Sequence, residues 1–151
     1  MEDEKFIPSI QSALSARIQA DELKRKKEVR ENEVREFQSP RDWMRLKTWL
    51  KQAVSSINQG LPSEALSYEE DAKDRIFVRC AVGQRKRELK VEFVSLLGGS
   101  VTVSEKDRSV LHLESIVLEN KLQWVNPSED GARRYDAEGI GMKIVSLVAE
   151  P

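Results

Sequence analysis

Two periods divide this chain. Up to about residue 60, apolar residues recur every three or four positions, as on one side of an α-helix. From about residue 75 they alternate with polar ones, as on one side of a strand. Helices followed by a sheet define an α+β class. In the first segment Phe6, Ile7, Ile10, Ala13, Leu14 and Ile18 form one apolar stripe, and Pro8 suits the first turn of the helix that carries it. Beyond Leu23 the stripe thins to Val29, Val34 and Phe37 among charged side chains. Opposite charges one turn apart, Asp21 with Arg25, Glu22 with Lys26 and Glu31 with Arg35, support a helix with a solvated surface. A heptad started at Ile7 and Leu14 runs into Asp21 and Glu28, and its companion seam from Ile10 runs into Arg17 and Lys24. That argues against a long coiled coil. It leaves a shorter pairing with another chain, or docking on the sheet.

A second helix is expected from Ser39-Pro40-Arg41-Asp42, with Ser39 as cap, Pro40 in the first helical position and Asp42 completing a capping box. Its stripe is Trp43, Leu46, Leu50, Ala53, Val54 and Ile57, widened by Met44 and Trp49. Gly60 and Pro62 end it. The boundary before Ser39 separates an N-terminal helical arm, 1–38, from an α+β domain, 39–151. Ser63 to Asp74 is acidic and reads as a solvated linker, with a short helix capped by Ser63 as the alternative. Its spacing fits no calcium loop.

Arg75 to Val82 places Ile76, Val78, Cys80 and Val82 on one face of a strand. Gly83 to Arg87 reads as a basic hairpin tip. Glu88 to Leu97 alternates again, with Leu89, Val91, Phe93 and Leu97 together, and Gly98-Gly99 reads as a two-residue hairpin turn. Val101 and Val103 continue the meander, and Glu105 to Arg108 turns the chain. Between Ser109 and Leu118 the apolar parity shifts from Leu111 and Leu113 to Ile116 and Leu118. A strand with a bulge near Glu114 accounts for the shift, and a buried helix is the alternative. Lys121 to Val125, with Trp124, is a last strand, and Asn126 to Gly131 is an irregular loop. Asp136 caps a final helix with Ile140, Ile144, Leu147 and Val148 on one face; a strand over 142–148 is the alternative. The expected architecture is two N-terminal helices, an antiparallel sheet of about five strands and a C-terminal helix.

Composition narrows the function classes. Charged residues make up 34% of the chain but balance, 25 basic against 26 acidic, so bulk charge does not suit it to nucleic acid or anionic lipid. Cys80 is the only cysteine and forms no intramolecular disulfide, as expected in a reducing compartment. Met1 to Lys5 is acidic and lacks the basic-then-apolar pattern of a secretory signal. No apolar run matches a bilayer span, so the expectation is a cytoplasmic protein without membrane contact.

Candidate chemistry is sparse. His112 is the only imidazole, so catalysis by a hydroxyl or thiol with histidine would have to pass through it. One His and one Cys cannot supply four zinc ligands, and His112 with Glu114 on one strand face offers only part of a mixed site. Gly139-Ile140-Gly141 lacks the strand, third glycine and downstream acid of a dinucleotide fingerprint. No cofactor or metal is therefore expected. Three functional readings follow. The leading one is a non-enzymatic interaction module that self-associates, as a homodimer or with another protein, through the N-terminal helix. The second is nucleic-acid contact through Arg85, Lys86, Arg87 and Lys90, ranked below the reading of that tip as a charged guard against sheet aggregation. The third is a small-molecule pocket between the tryptophan helix and the sheet, lined by Trp43, Trp49, Arg79, His112 and Tyr135.

Overall fold

The computed structural model describes residues 2–129 and 133–151. Asp130 and Gly131 of the expected loop lie outside them. The fold is α+β: a helix, a seven-stranded antiparallel sheet and a C-terminal helix. The chain divides into two compact units, Met1–Glu33 and Val34–Pro151.

Helix α1 runs without a break over Glu2–Gln59 and contributes to both units. The two expected helices are therefore one. Ser39 does not cap; it lies within the helix, and its hydroxyl donates to the Arg35 carbonyl at 2.7 Å. Pro40 and Pro8 both sit inside the helix, Pro8 past the first turn. An interior proline costs about 3 kcal/mol in an isolated helix. At Pro40 tertiary packing outweighs that cost. Ser39 is buried against Gly99, where an added Cβ would stand 2.9 Å from its side chain, and at Gly98 an added Cβ would stand 2.6 Å from the Arg35 side chain.

Seven strands follow as a meander in sequence order: β1 (Leu66–Ala72), β2 (Arg75–Val82), β3 (Arg85–Val94), β4 (Ser100–Glu105), β5 (Arg108–Leu118), β6 (Lys121–Val125) and β7 (Arg134–Tyr135). Strand β1 occupies the segment expected to be a linker. Its residues Glu69, Glu70 and Asp71 make an acidic edge, which protects the sheet from pairing with other chains. Strand β7 adds a second strand beyond the expected set. The meander is joined by tight turns. Lys106-Asp107 and Glu119-Asn120 both have positive φ at each position, the geometry of type I′ hairpins. By contrast Gly98-Gly99 is not a two-residue turn. Leu96–Gly98 forms a 3-10 turn, and Gly98 and Gly99 take φ of 91° and 104° in a five-residue connection against α1.

Register assigns the faces. Ile76 pairs Val91, Val91 pairs Val103 and Val103 pairs Leu111, while Phe93 pairs Val101 and Val101 pairs Leu113. These residues all point to one side and are buried. The bulge in β5 falls between Ser109 and Leu111, not near Glu114. Parity holds from Leu111 through Ser115 and Val117, because Ser115 rather than Ile116 continues the inner face. The Ser115 hydroxyl donates to the Gly98 carbonyl at 2.6 Å, so a polar residue is satisfied in a buried position.

Two helix faces cover that side of the sheet. Trp43, Leu46, Leu50 and Val54 of α1 bury together with Ala137, Ile140, Ile144 and Val148 of α2 (Ala137–Ala149). Trp43 stacks on Phe93, with ring centroids 5.6 Å apart. Its indole N–H and the Lys47 ammonium both donate to the Lys73 carbonyl, at 3.0 Å each, and Lys47 also reaches Glu70 at 2.7 Å. Asn58 mimics a strand residue beside β1. Its Oδ1 accepts from the Ala65 and Leu66 N–H groups, and its Nδ2 donates to the Leu66 carbonyl at 2.8 Å. Asp136 caps α2, accepting from the Gly139 N–H at 2.7 Å, so the expected final helix is present. Gly141 lets the half-buried Trp49 indole lie directly on the α2 backbone; an added Cβ would overlap the ring.

Candidate functional site

The most conspicuous unsatisfied surface lies on the first unit. Every described residue from Glu4 to Arg30 is exposed. Phe6, Ile7, Ile10, Leu14 and Ile18 keep between 45% and 65% of their surface in contact with solvent. Their spacing puts Ile7, Ile10, Leu14 and Ile18 on one face, the anchor pattern of helices that pack into a groove or against another helix. In the same helix the later stripe, Trp43, Leu46, Leu50 and Val54, is at most 6% exposed. One helix thus carries one apolar stripe that is used in the fold and one that is not. C-terminal to the exposed stripe, Arg25 pairs with Asp21 at 3.0 Å and Lys27 lies 4.0 Å from Glu31.

The residues expected to line a pocket do not converge. Trp43 is in the core, Trp49 packs on Gly141 of α2, and Tyr135 pairs with Trp124 across β6 and β7 on the inner side. Arg79 and His112 lie on the opposite face of the sheet, because Arg79 pairs Glu88 and His112 pairs Thr102 in the outward register. There Arg79 bridges Glu69 and Glu88 across three strands and lies over the Phe77 ring. The His112 ring joins Thr102 Oγ1, 2.8 Å from Nδ1, to Glu114 Oε1, 3.4 Å from Nε2. A hydroxyl, an imidazole and a carboxylate in line resemble a hydrolase relay in composition. The arrangement is exposed on a flat sheet face, and both its imidazole and its carboxylate are well solvated. Trp43, Leu46, Leu50 and Val54 of α1 share one buried core with the inner residues of the sheet. Among the described residues no three His, Cys, Asp or Glu side chains gather to hold a metal ion.

The basic tip is also partly committed to the fold. Only Gly83 and Gln84 form the turn; Arg85 already belongs to β3. Arg87 grips Glu105 with two hydrogen bonds, 2.8 and 3.0 Å, and donates to the Leu147 carbonyl at 2.6 Å and the Glu150 carbonyl at 3.2 Å. It therefore closes the C-terminal end of α2, where carbonyls lack helical partners. That hydrogen bond holds the Glu105 carboxyl below its usual range. Lys90 pairs with Glu92 at 3.2 Å. Arg85 and Lys86 are exposed. A cleft of about 640 Å³ opens at this end of the sheet, lined by Cys80, Lys86, Arg87, Glu88 and Glu105 among others. In the sequence Arg87 is one of a run of basic residues at a hairpin tip. Its acid, Glu105, lies at the end of β4, and only the pairing of β3 with β4 reveals the match.

Asp42 is a partly buried carboxylate at the foot of the tryptophan stripe. Its Oδ2 accepts from the indole N–H of the fully buried Trp124 at 2.8 Å, and Arg45 stands 3.9 Å away. Burial pushes its carboxyl above the usual range, and the Trp124 hydrogen bond and Arg45 charge offset this only in part. It anchors α1 to β6.

The fold and its surfaces define an α+β protein with an antiparallel meander and a long helix whose N-terminal apolar stripe is exposed. No family model, no curated protein and no solved structure matches the chain. Among the described residues no helix is long and apolar enough to cross a membrane.

Proposed function

We propose that this chain is a non-enzymatic interaction module of the cytoplasm, and that the N-terminal part of α1 is its recognition arm. The observation that carries the reading is the bare stripe Phe6, Ile7, Ile10, Leu14 and Ile18 on a helix whose later stripe is fully buried. Isolated helical segments are marginal in water without tertiary packing, so a stripe of this kind gains stability when another surface covers it. The simplest partner is a second copy, which supplies a matching stripe. The engagement of Arg87 and Lys90 within the fold weighs against the nucleic-acid reading, and the burial of Trp43 in the shared core weighs against the small-molecule one.

Sedimentation equilibrium of the full chain tests this over a dilution series from about 10 μM to about 1 mM, a range that captures weak dimers. The expected result is a mass rising above the 17.3 kDa monomer with concentration, and a Leu14→Glu variant that stays monomeric. A wild-type chain that remains monomeric throughout overturns self-association.

A further inference from the structure

We propose that the junction of β6, β7 and α2 binds a small phosphate ester that carries free hydroxyl groups. The site is separate from the helix stripe and does not depend on self-association. A cavity of about 500 Å³ opens there, lined by Lys121, Gln123, Arg133, Arg134, Tyr135 and Asp136 among others. Its cations are unmatched: among the described residues, Lys121, Arg133 and Arg134 form no ion pair. Elsewhere in the sheet Arg75, Arg79 and Arg87 each meet an acid. Neighbouring positive charges that line a concavity raise the local concentration of anions.

Strand register explains why these groups converge. Lys121 and Gln123 alternate onto one face of β6, and Arg134 joins that face opposite Val125. From Lys121 to Val125 is about 13 Å along the strand, a span that a lysine and an arginine reaching inward from its two ends close on one phosphate group. Arg133 lies over the Tyr135 ring, 5.3 Å from its centroid, which steadies it at the rim.

The acceptors in the same cavity define the rest of the ligand. Asp136 uses one carboxylate oxygen to cap α2, and among the described residues the other has no partner. That charge repels bare phosphate but accepts from a ligand hydroxyl. The Gln123 Oε1 is shut off from solvent without a hydrogen-bond partner, so its amide gains one by turning into the cavity. Cations and hydroxyl acceptors side by side fit a sugar phosphate. The concave shape and the chain's net charge of −1 favour a small ligand over nucleic acid.

Calorimetric titration of the full chain with ribose 5-phosphate, ribose and inorganic phosphate tests the site. The expected result is saturable one-to-one binding of ribose 5-phosphate, about tenfold or more tighter than either fragment. Lys121→Ala and Arg134→Ala each weaken it roughly tenfold, the loss of one hydrogen bond to a charged group. Both side chains are exposed, so thermal melts of these variants match wild type. Asp136→Asn keeps a capping oxygen and narrows the preference for the ester over inorganic phosphate. In nuclear magnetic resonance spectra the shifted amides gather at 121–125 and 133–136. No saturable binding up to about 10 mM, full affinity in both alanine variants, or shifts gathered elsewhere overturns the site. An unchanged preference in Asp136→Asn overturns the role given to the hydroxyls. Tighter binding of a single-stranded oligonucleotide than of ribose 5-phosphate overturns the small ligand.

Discussion

Replacing Asp42 probes how α1 is fixed to the sheet. In the wild-type fold its carboxylate is the acceptor for the indole N–H of Trp124, a side chain with no solvent exposure. Asp42→Ala leaves that donor buried with nothing to accept from it, a penalty of about 1–3 kcal/mol. Asp42→Asn keeps an oxygen in place and removes the buried charge, so its stability at neutral pH stays within about 1 kcal/mol of wild type. The pH dependence separates the two effects. The folded-state carboxyl titrates above the ordinary value of 3.8, so between that value and its raised one the folded chain holds a proton that the unfolded chain has released. Its contribution is then favourable at low pH and is lost as pH rises through the raised value. Asn does not titrate. Asp42→Asn therefore gains on wild type as pH rises through this window, while carboxylates not coupled to Asp42, unlike its neighbours Glu138 and Asp136, cancel in the comparison. Urea denaturation followed by tryptophan fluorescence, from about pH 3 to about pH 7, measures both. An alanine variant within about 0.5 kcal/mol of wild type, or a difference between Asn and Asp that is flat with pH, refutes the reasoning.

Three further outcomes follow from the packing. Gly141→Ala drives a methyl group into the Trp49 ring, which costs about 1–3 kcal/mol against a gain of about 1 kcal/mol in helix propensity. In a Trp49→Ala background the same change becomes stabilising, and thermal melts of the four variants read the reversal of sign. Asn58→Ala strands two N–H groups and one carbonyl at the start of β1, for about 1–2 kcal/mol, and hydrogen exchange at Ala65 and Leu66 accelerates more than at β4. Glu119→Asn with Asn120→Gly relieves positive φ at two side-chain-bearing positions and raises stability by about 1 kcal/mol in chemical denaturation.

Local chemistry made much of the fold legible. Alternation placed Ile76, Val78, Leu89, Val91, Phe93, Val101 and Val103 on one face, and the structure buries all of them. The helix over 43–54 and the Asp136 cap were equally visible, because a stripe and a cap are contained in a few neighbouring residues. The failures share a cause. Ser39-Pro40 has every local mark of a helix start, yet Ser39 is held inside a continuous helix by the Gly98-Gly99 connection, sixty residues away. Strand β1 is too acidic to announce itself, and it becomes a strand because β2 offers an edge and Asn58 and Lys47 hold its two ends. Ser115 took the place expected of Ile116, since a hydroxyl is tolerated inside once a carbonyl accepts from it.

The candidate site divides the same way. Residue order alone determined that Phe6 to Ile18 form an apolar stripe on a helix, because helical periodicity is a property of neighbours. Whether that stripe is buried was decided only in three dimensions, where the core closes over a different part of the helix and leaves these side chains in solvent. Strand pairing likewise put Arg79 and His112 on the face opposite Trp43 and gave Arg87 its acid, while the packing of α2 gave it its carbonyls. Such partners lie far apart in the chain, and no local preference encodes a distance that only the packed sheet creates.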